Sequence, residues 1–214
     1  MELAGSNVVI TAHHFNPSIF SQLWLVRNEI LGEDDFASGC LFSDQAANVE
    51  SEQFGLLVVP PQMQFVPRLP PDQQGDLVSN KVGSIVRALP HTPYKAIGLN
   101  FLWHVEPEDA DVSALTRKLF YDPDRTICQL FDVADARFGA YFSKDILGCR
   151  LKLDVKPITR ETKDEPRELV QFAFNFHLDL PQEANETIVA IEGDLRIWDD
   201  ARMETARIVE QTMS

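Results

Sequence analysis

Residues 169–180 alternate with almost no interruption: Val170, Phe172, Phe174, Phe176, Leu178 and Leu180 against Gln171, Ala173, Asn175, His177 and Asp179. A period of two over a dozen residues is a strand with one face buried and one wetter, and such strands belong to antiparallel sheets. This segment therefore demands a sheet with something apolar packed on one side only. Two further segments repeat the pattern. Cys149, Leu151, Leu153 and Val155 alternate with Arg150, Lys152, Asp154 and Lys156, and Ile97, Leu99, Phe101, Trp103 and Val105 share one face of Tyr94–Val105.

The covering layer is legible as helices. Val78, Val82, Ile85, Val86 and Leu89 form one stripe over 76–89, ended by Pro90. From Glu183 to Gln211 no proline intervenes, and Ile188, Ile191, Leu195, Trp198, Thr205 and Val209 recur at helical spacing, which predicts one long amphipathic helix. A helix is also expected over 18–31. A short one should follow residue 106, with Asp109 or Asp111 at its start. Residues 32–53 read as a long loop with at most one short strand at 39–42. The run 54–66 is a strand interrupted by Pro60-Pro61, hence an edge strand, a bulge, or two strands around a bend. Residues 143–148 are expected to join two strands as a hairpin loop, and 158–167 to form a charged loop.

The fold class that follows is α+β: a mostly antiparallel sheet, helices packed on one face, and a long C-terminal helix. The 214 residues are read as a single domain, with a two-lobed division near 107–125 as the variant, and no residue-level repeat is visible. Fourteen Phe and three Trp supply a core without staples. The cysteines, Cys40, Cys128 and Cys149, are odd in number and widely spaced, so they predict free thiols without a disulfide framework or zinc knuckle. The first fifteen residues carry no Lys or Arg before their apolar run, and apolar runs are of strand length. A cytoplasmic chain without membrane segments is expected.

Charge narrows the partners. The net charge is −14, which repels nucleic-acid phosphates, so no direct nucleic-acid binding is expected. No Lys or Arg occurs between Arg27 and Arg68, while that gap holds Glu33, Asp34, Asp35, Asp44, Glu50 and Glu52. These carboxylates are either a solvated surface or a docking face for a basic protein partner. Assembly of several copies is compatible with the composition.

The chemistry-bearing patterns are sparse. His13-His14 cannot both ligate one metal from a strand, and are expected one packed and one exposed. His104-x-Glu106 lacks the downstream cysteine pair of a zinc deaminase. Asp124 after Pro123, with Asp154-x-Lys156 on a later strand, is the pattern of metal-dependent nucleases, in which two carboxylates hold Mg²⁺ and a lysine orients water. The same strand face carries Arg150 and Lys152, as any solvated face does. No cofactor is expected. The leading expectation is a non-enzymatic protein-interaction or regulatory subunit of the immunity, antitoxin-like or adaptor kind. The alternatives are a small-ligand-binding domain with a pocket between sheet and long helix, and the nuclease.

Overall fold

The alternating segments become strands of one continuous sheet in the computed structural model, which describes residues 1–107, 111–161 and 165–214. Among the described residues the strands are β1 (Glu2–Ala12), β2 (Leu41–Phe42), β3 (Ala47–Glu50), β4 (Phe54–Val59), β5 (Gln62–Pro67), β6 (Tyr94–Val105), β7 (Ala140–Ile146), β8 (Cys149–Arg160) and β9 (Arg167–Asp179). They are hydrogen-bonded in the order β2-β3-β4-β5-β1-β6-β9-β8-β7, and every neighbouring pair is antiparallel. The helices are α1 (Gln22–Arg27), α2 (Gln74–Ala88), α3 (Val112–Phe120), α4 (Thr126–Leu130), α5 (Ala184–Arg196) and α6 (Trp198–Met213). The chain is thus α+β, with a long C-terminal helix, and no described helix is long and apolar enough to cross a membrane.

The apolar half of each alternation faces the helices. Phe101 of β6, Phe172 and Phe176 of β9, and Trp198 of α6 are fully buried. The Phe101 ring meets Trp198 at 4.7 Å between centroids and Phe176 edge-on at 6.1 Å. Burying each such side chain is worth roughly 1.5–3 kcal/mol. Trp103 closes the contact with α6 by donating its indole N–H to Thr205 Oγ1 at 2.8 Å.

The chain follows one path twice. A strand (β1 or β6) leads through short helices to a meander, whose last strand (β5 or β9) returns beside the first, and a covering helix follows. The two halves meet along the antiparallel β1–β6 pair, where Asn7 lies opposite Asn100.

Several elements depart from the sequence expectation. The helix expected over 18–31 is a single 3₁₀ turn, Pro17–Ile19, and the six-residue α1, which Ser21 caps by accepting from Trp24 N–H. Glu29 ends it at φ 57°, turning Ile30 and Leu31 into the core. The acidic loop contains β2 and β3. Pro60-Pro61 form the tip of a hairpin between β4 and β5, both interior to the sheet, and prolines at a turn withhold no ladder donor. The β7–β8 connection shortens to Leu147-Gly148, both at positive φ (54° and 77°), the geometry of a tight hairpin. Of the expected loop at 158–167, Ile158, Thr159 and Arg160 lengthen β8 and Arg167 begins β9; Thr162, Lys163 and Asp164 lie outside the described residues. The C-terminal helical run divides at Ile197, which lets Trp198 turn into the core. His13 and His14 follow the end of β1 and are both exposed, so neither packs. Asp111 caps α3 by accepting from Ala114 N–H at 2.7 Å, while Asp109 lies outside the described residues.

Candidate functional site

The polar half of the alternation lies on the face opposite the core. Register places Asn7, Asn100, Asn175, Lys152 and Ser143 in one row across β1, β6, β9, β8 and β7. The next row is Gly5, Leu102, Ala173, Asp154 and Tyr141. Because Gly5 and Ala173 carry little or no side chain, the second row sinks. A Cβ added at Gly5 would meet nothing within 4 Å. The result is a depression of about 550 Å³ over the middle of the sheet, rimmed by Asn7, Asn100, Asn175, Lys152, Asp154 and Tyr141.

The amides of the first row are tied together. Asn175 donates a side-chain N–H to Asn100 Oδ1 at 2.8 Å, and Asn100 donates to Asn7 Oδ1 at 2.9 Å. Gly98 makes this possible, since a Cβ there would stand 2.7 Å from Asn175 Nδ2. A chain of amides bonded to one another is held in one orientation before anything binds, which lowers the cost of ordering on binding. Asparagine is a poor strand residue. Its occurrence on the polar side of three strands, at Asn7, Asn100 and Asn175, is the signal by which the sequence could have revealed the row.

Asp154 and Lys156 of the nuclease-like pattern are on this face and form an ion pair at 3.1 Å. Asp124 lies in the exposed turn between α3 and α4, where its backbone N–H donates to Asp122 Oδ1 at 3.0 Å. The structure thus joins Asp154 to Lys156, while the Asp124 carboxylate makes no hydrogen bond or ion pair among the described residues. Among the described residues no group of three or more His, Cys, Asp or Glu is disposed to hold a metal ion.

The acidic stretch divides. Asp34, Asp35 and Glu52 line a depression of about 260 Å³ that no basic residue borders among the described residues. Asp35 also accepts from Gly32 N–H at 2.9 Å. Glu50, on β3, is paired with Arg68, which also donates to Ser51 O, and the Arg68 hydrogen bond holds the Glu50 carboxyl below its ordinary range. Glu33 and Asp44 are exposed and stand outside that depression.

An apolar groove of about 420 Å³ runs where β7 and β8 meet α6, lined by Phe142, Leu151, Leu153, Ile208 and Thr212. Inside the core, the Cys149 thiol donates to Asp194 Oδ1 at 2.8 Å. Burial pushes the thiol up to about 12 and the Asp194 carboxyl up to about 6. All three cysteines are free.

No family model matches the chain, and neither the curated proteins nor the solved structures show a significant match to it.

Proposed function

We propose that this chain is a non-enzymatic binding subunit whose ligand seats on the open face of the sheet. One observation carries the reading: the row of three mutually bonded amides beside a 550 Å³ depression, a volume within the range that small-molecule sites occupy. Amides neither take up nor release protons near neutral pH. A site built on them recognises shape and hydrogen-bonding groups rather than driving acid–base chemistry. The test is a ¹⁵N–¹H NMR screen of a small-fragment set. The reading expects shifts clustered at Asn7, Gln64, Asn100, Tyr141 and Asn175. Shifts clustered instead at the apolar groove near Ile208, or nowhere, would defeat it.

A second reading, docking of a basic protein through the acidic stretch, is favoured by the convergence of Asp34, Asp35 and Glu52 on one depression without a basic neighbour. It draws on Glu33 and Asp44 as further exposed carboxylates. Glu50, neutralised by Arg68, contributes least. Its signature is association that weakens with salt.

A further inference from the structure

Four basic residues stand on the open face of β8, and three are matched. Arg150 pairs with Asp145 at 3.0 Å, Lys156 with Asp154 at 3.1 Å and Arg160 with Glu2 at 3.6 Å. Lys152 sits between the first two, half-buried at the rim of the depression, and makes no ion pair or hydrogen bond among the described residues. Among the lysines and arginines of β8 it is the one whose charge is left without a carboxylate among the described residues, in a chain of net charge −14.

The hydrogen-bonding inventory beside it points the same way. Within the amide row, the carbonyls of Asn7 and Asn100 are already occupied, whereas both N–H groups of Asn7 and one of Asn175 remain free. Asn175 is the direct cross-strand neighbour of Lys152, and Ser143 flanks Lys152 on the other side. In the amide row and on β8 the unfilled groups are thus three amide N–H groups and the Lys152 ammonium, beside one unoccupied amide carbonyl, Asn175 Oδ1, and the Asp154 carboxylate that Lys156 matches.

We propose that the depression is an anion site that seats the carboxylate of a small organic acid against Lys152 Nζ and the free N–H of Asn175. This rests on the open-face binding reading and specifies its ligand class. One unmatched positive charge suits one carboxylate. A phosphate group, carrying nearly two negative charges, would stay half-compensated within an acidic protein. Charge-assisted hydrogen bonds from an ammonium and an amide to a carboxylate are stronger than those between neutral groups. Arg150 and Lys156 are each offset by a carboxylate, so Lys152 carries the unmatched positive charge of this part of the strand face, and salt at physiological strength screens the more distant carboxylates beyond about 8 Å.

The experiment is an NMR titration at constant ionic strength with three probes: butyrate, its neutral isostere butyramide, and inorganic phosphate. It is followed through the side-chain amide signals of Asn7, Asn100 and Asn175. Butyrate should shift them saturably and bind about ten-fold or more tighter than butyramide. Lys152→Met should remove that preference and Lys152→Arg should keep it, with the backbone spectrum reporting that each variant is folded. Butyramide binding as well as butyrate, phosphate binding more tightly than butyrate, or butyrate binding unchanged in Lys152→Met would each overturn the carboxylate assignment while leaving the open-face reading in place. No shift at these amides from any probe, together with an empty fragment screen, would overturn both.

Discussion

Cys149 on β8 and Asp194 on α5 share a short hydrogen bond of 2.8 Å in the core, and the second carboxylate oxygen of Asp194 is buried without a partner among the described residues. Burial lifts the Asp194 carboxyl to about 6, against the opposing pull of the Cys149 hydrogen bond and of His177. The unfolded chain would lose its proton near 4. The folded state therefore binds this proton more tightly, so protonation stabilises the fold. The contribution is present at low pH and is lost as pH rises from about 4 through about 6. Relative to Asp194→Asn, the wild type should gain about 1 kcal/mol between pH 7 and pH 5 in urea melts. Parallel pH profiles for the two proteins would contradict it.

The same burial makes Cys149 a poor nucleophile. In denaturant without reductant, three thiols should titrate. In the native protein Cys149 should react last with iodoacetamide, well after the half-buried Cys40. Labelling of Cys149 at the rate of Cys40 would mean that α5 does not seal this site.

Gly98→Ala tests the amide row through a single clash. The added methyl would press on Asn175 Nδ2, and the other atoms it would approach lie 3.9 Å away. The substitution should cost about 1 kcal/mol with Asn175 in place, the worth of a displaced hydrogen bond. In an Asn175→Ala background it should be neutral or mildly stabilising, because alanine is better than glycine in a strand. A double-mutant cycle measures the difference. Equal costs in both backgrounds would show that the clash lies elsewhere.

Phe174 and Phe142 belong to neighbouring parts of the sheet but to different environments. Phe174 is 2% exposed and Phe142 is 52% exposed. Phe174→Ala should cost about 3–5 kcal/mol, and Phe142→Ala about 1 kcal/mol. A larger, concentration-dependent cost at Phe142 would show that a second copy covers the apolar groove.

Charge reversal in the acidic stretch should separate solvated carboxylates from a structural one. Glu33→Lys and Asp34→Lys remove no hydrogen bond and should change stability by less than about 0.5 kcal/mol. Asp35→Lys loses the bond to Gly32 N–H and should cost about 1 kcal/mol. Equal effects at all three positions in thermal melts would remove the structural role assigned to Asp35.

Much of this architecture was legible because alternation and register agree. Tyr94–Val105 is β6 to the residue, the Phe172, Phe174 and Phe176 stripe faces the helices, and the Asp111 cap starts α3. The errors share a physical origin in tertiary contacts. The periodicity of the last helix continues through Ile197, and the break there accompanies the packing of Trp198 on Phe101. β3 is four residues long and owes its place to pairing with β4. The candidate site was less visible. Asp154 and Lys156 are two residues apart and could be read together, but Asn7, Asn100 and Asn175 become neighbours only once the order β1-β6-β9 and its register exist.

The claim that binding takes place on the open sheet face is tested most directly by locating a bound acid. A stable nitroxide radical bearing one carboxylate, 3-carboxy-PROXYL, broadens NMR signals close to wherever it sits, and its neutral carbamoyl analogue serves as the control. The account predicts that the carboxylate probe, and far less the carbamoyl one, broadens the signals of Asn100, Tyr141, Ala173 and Asn175. Signals at Asp34, Glu52 and Ile208 should keep their intensity. Broadening centred on the acidic depression or the α6 groove, or equal broadening by both probes, would contradict it.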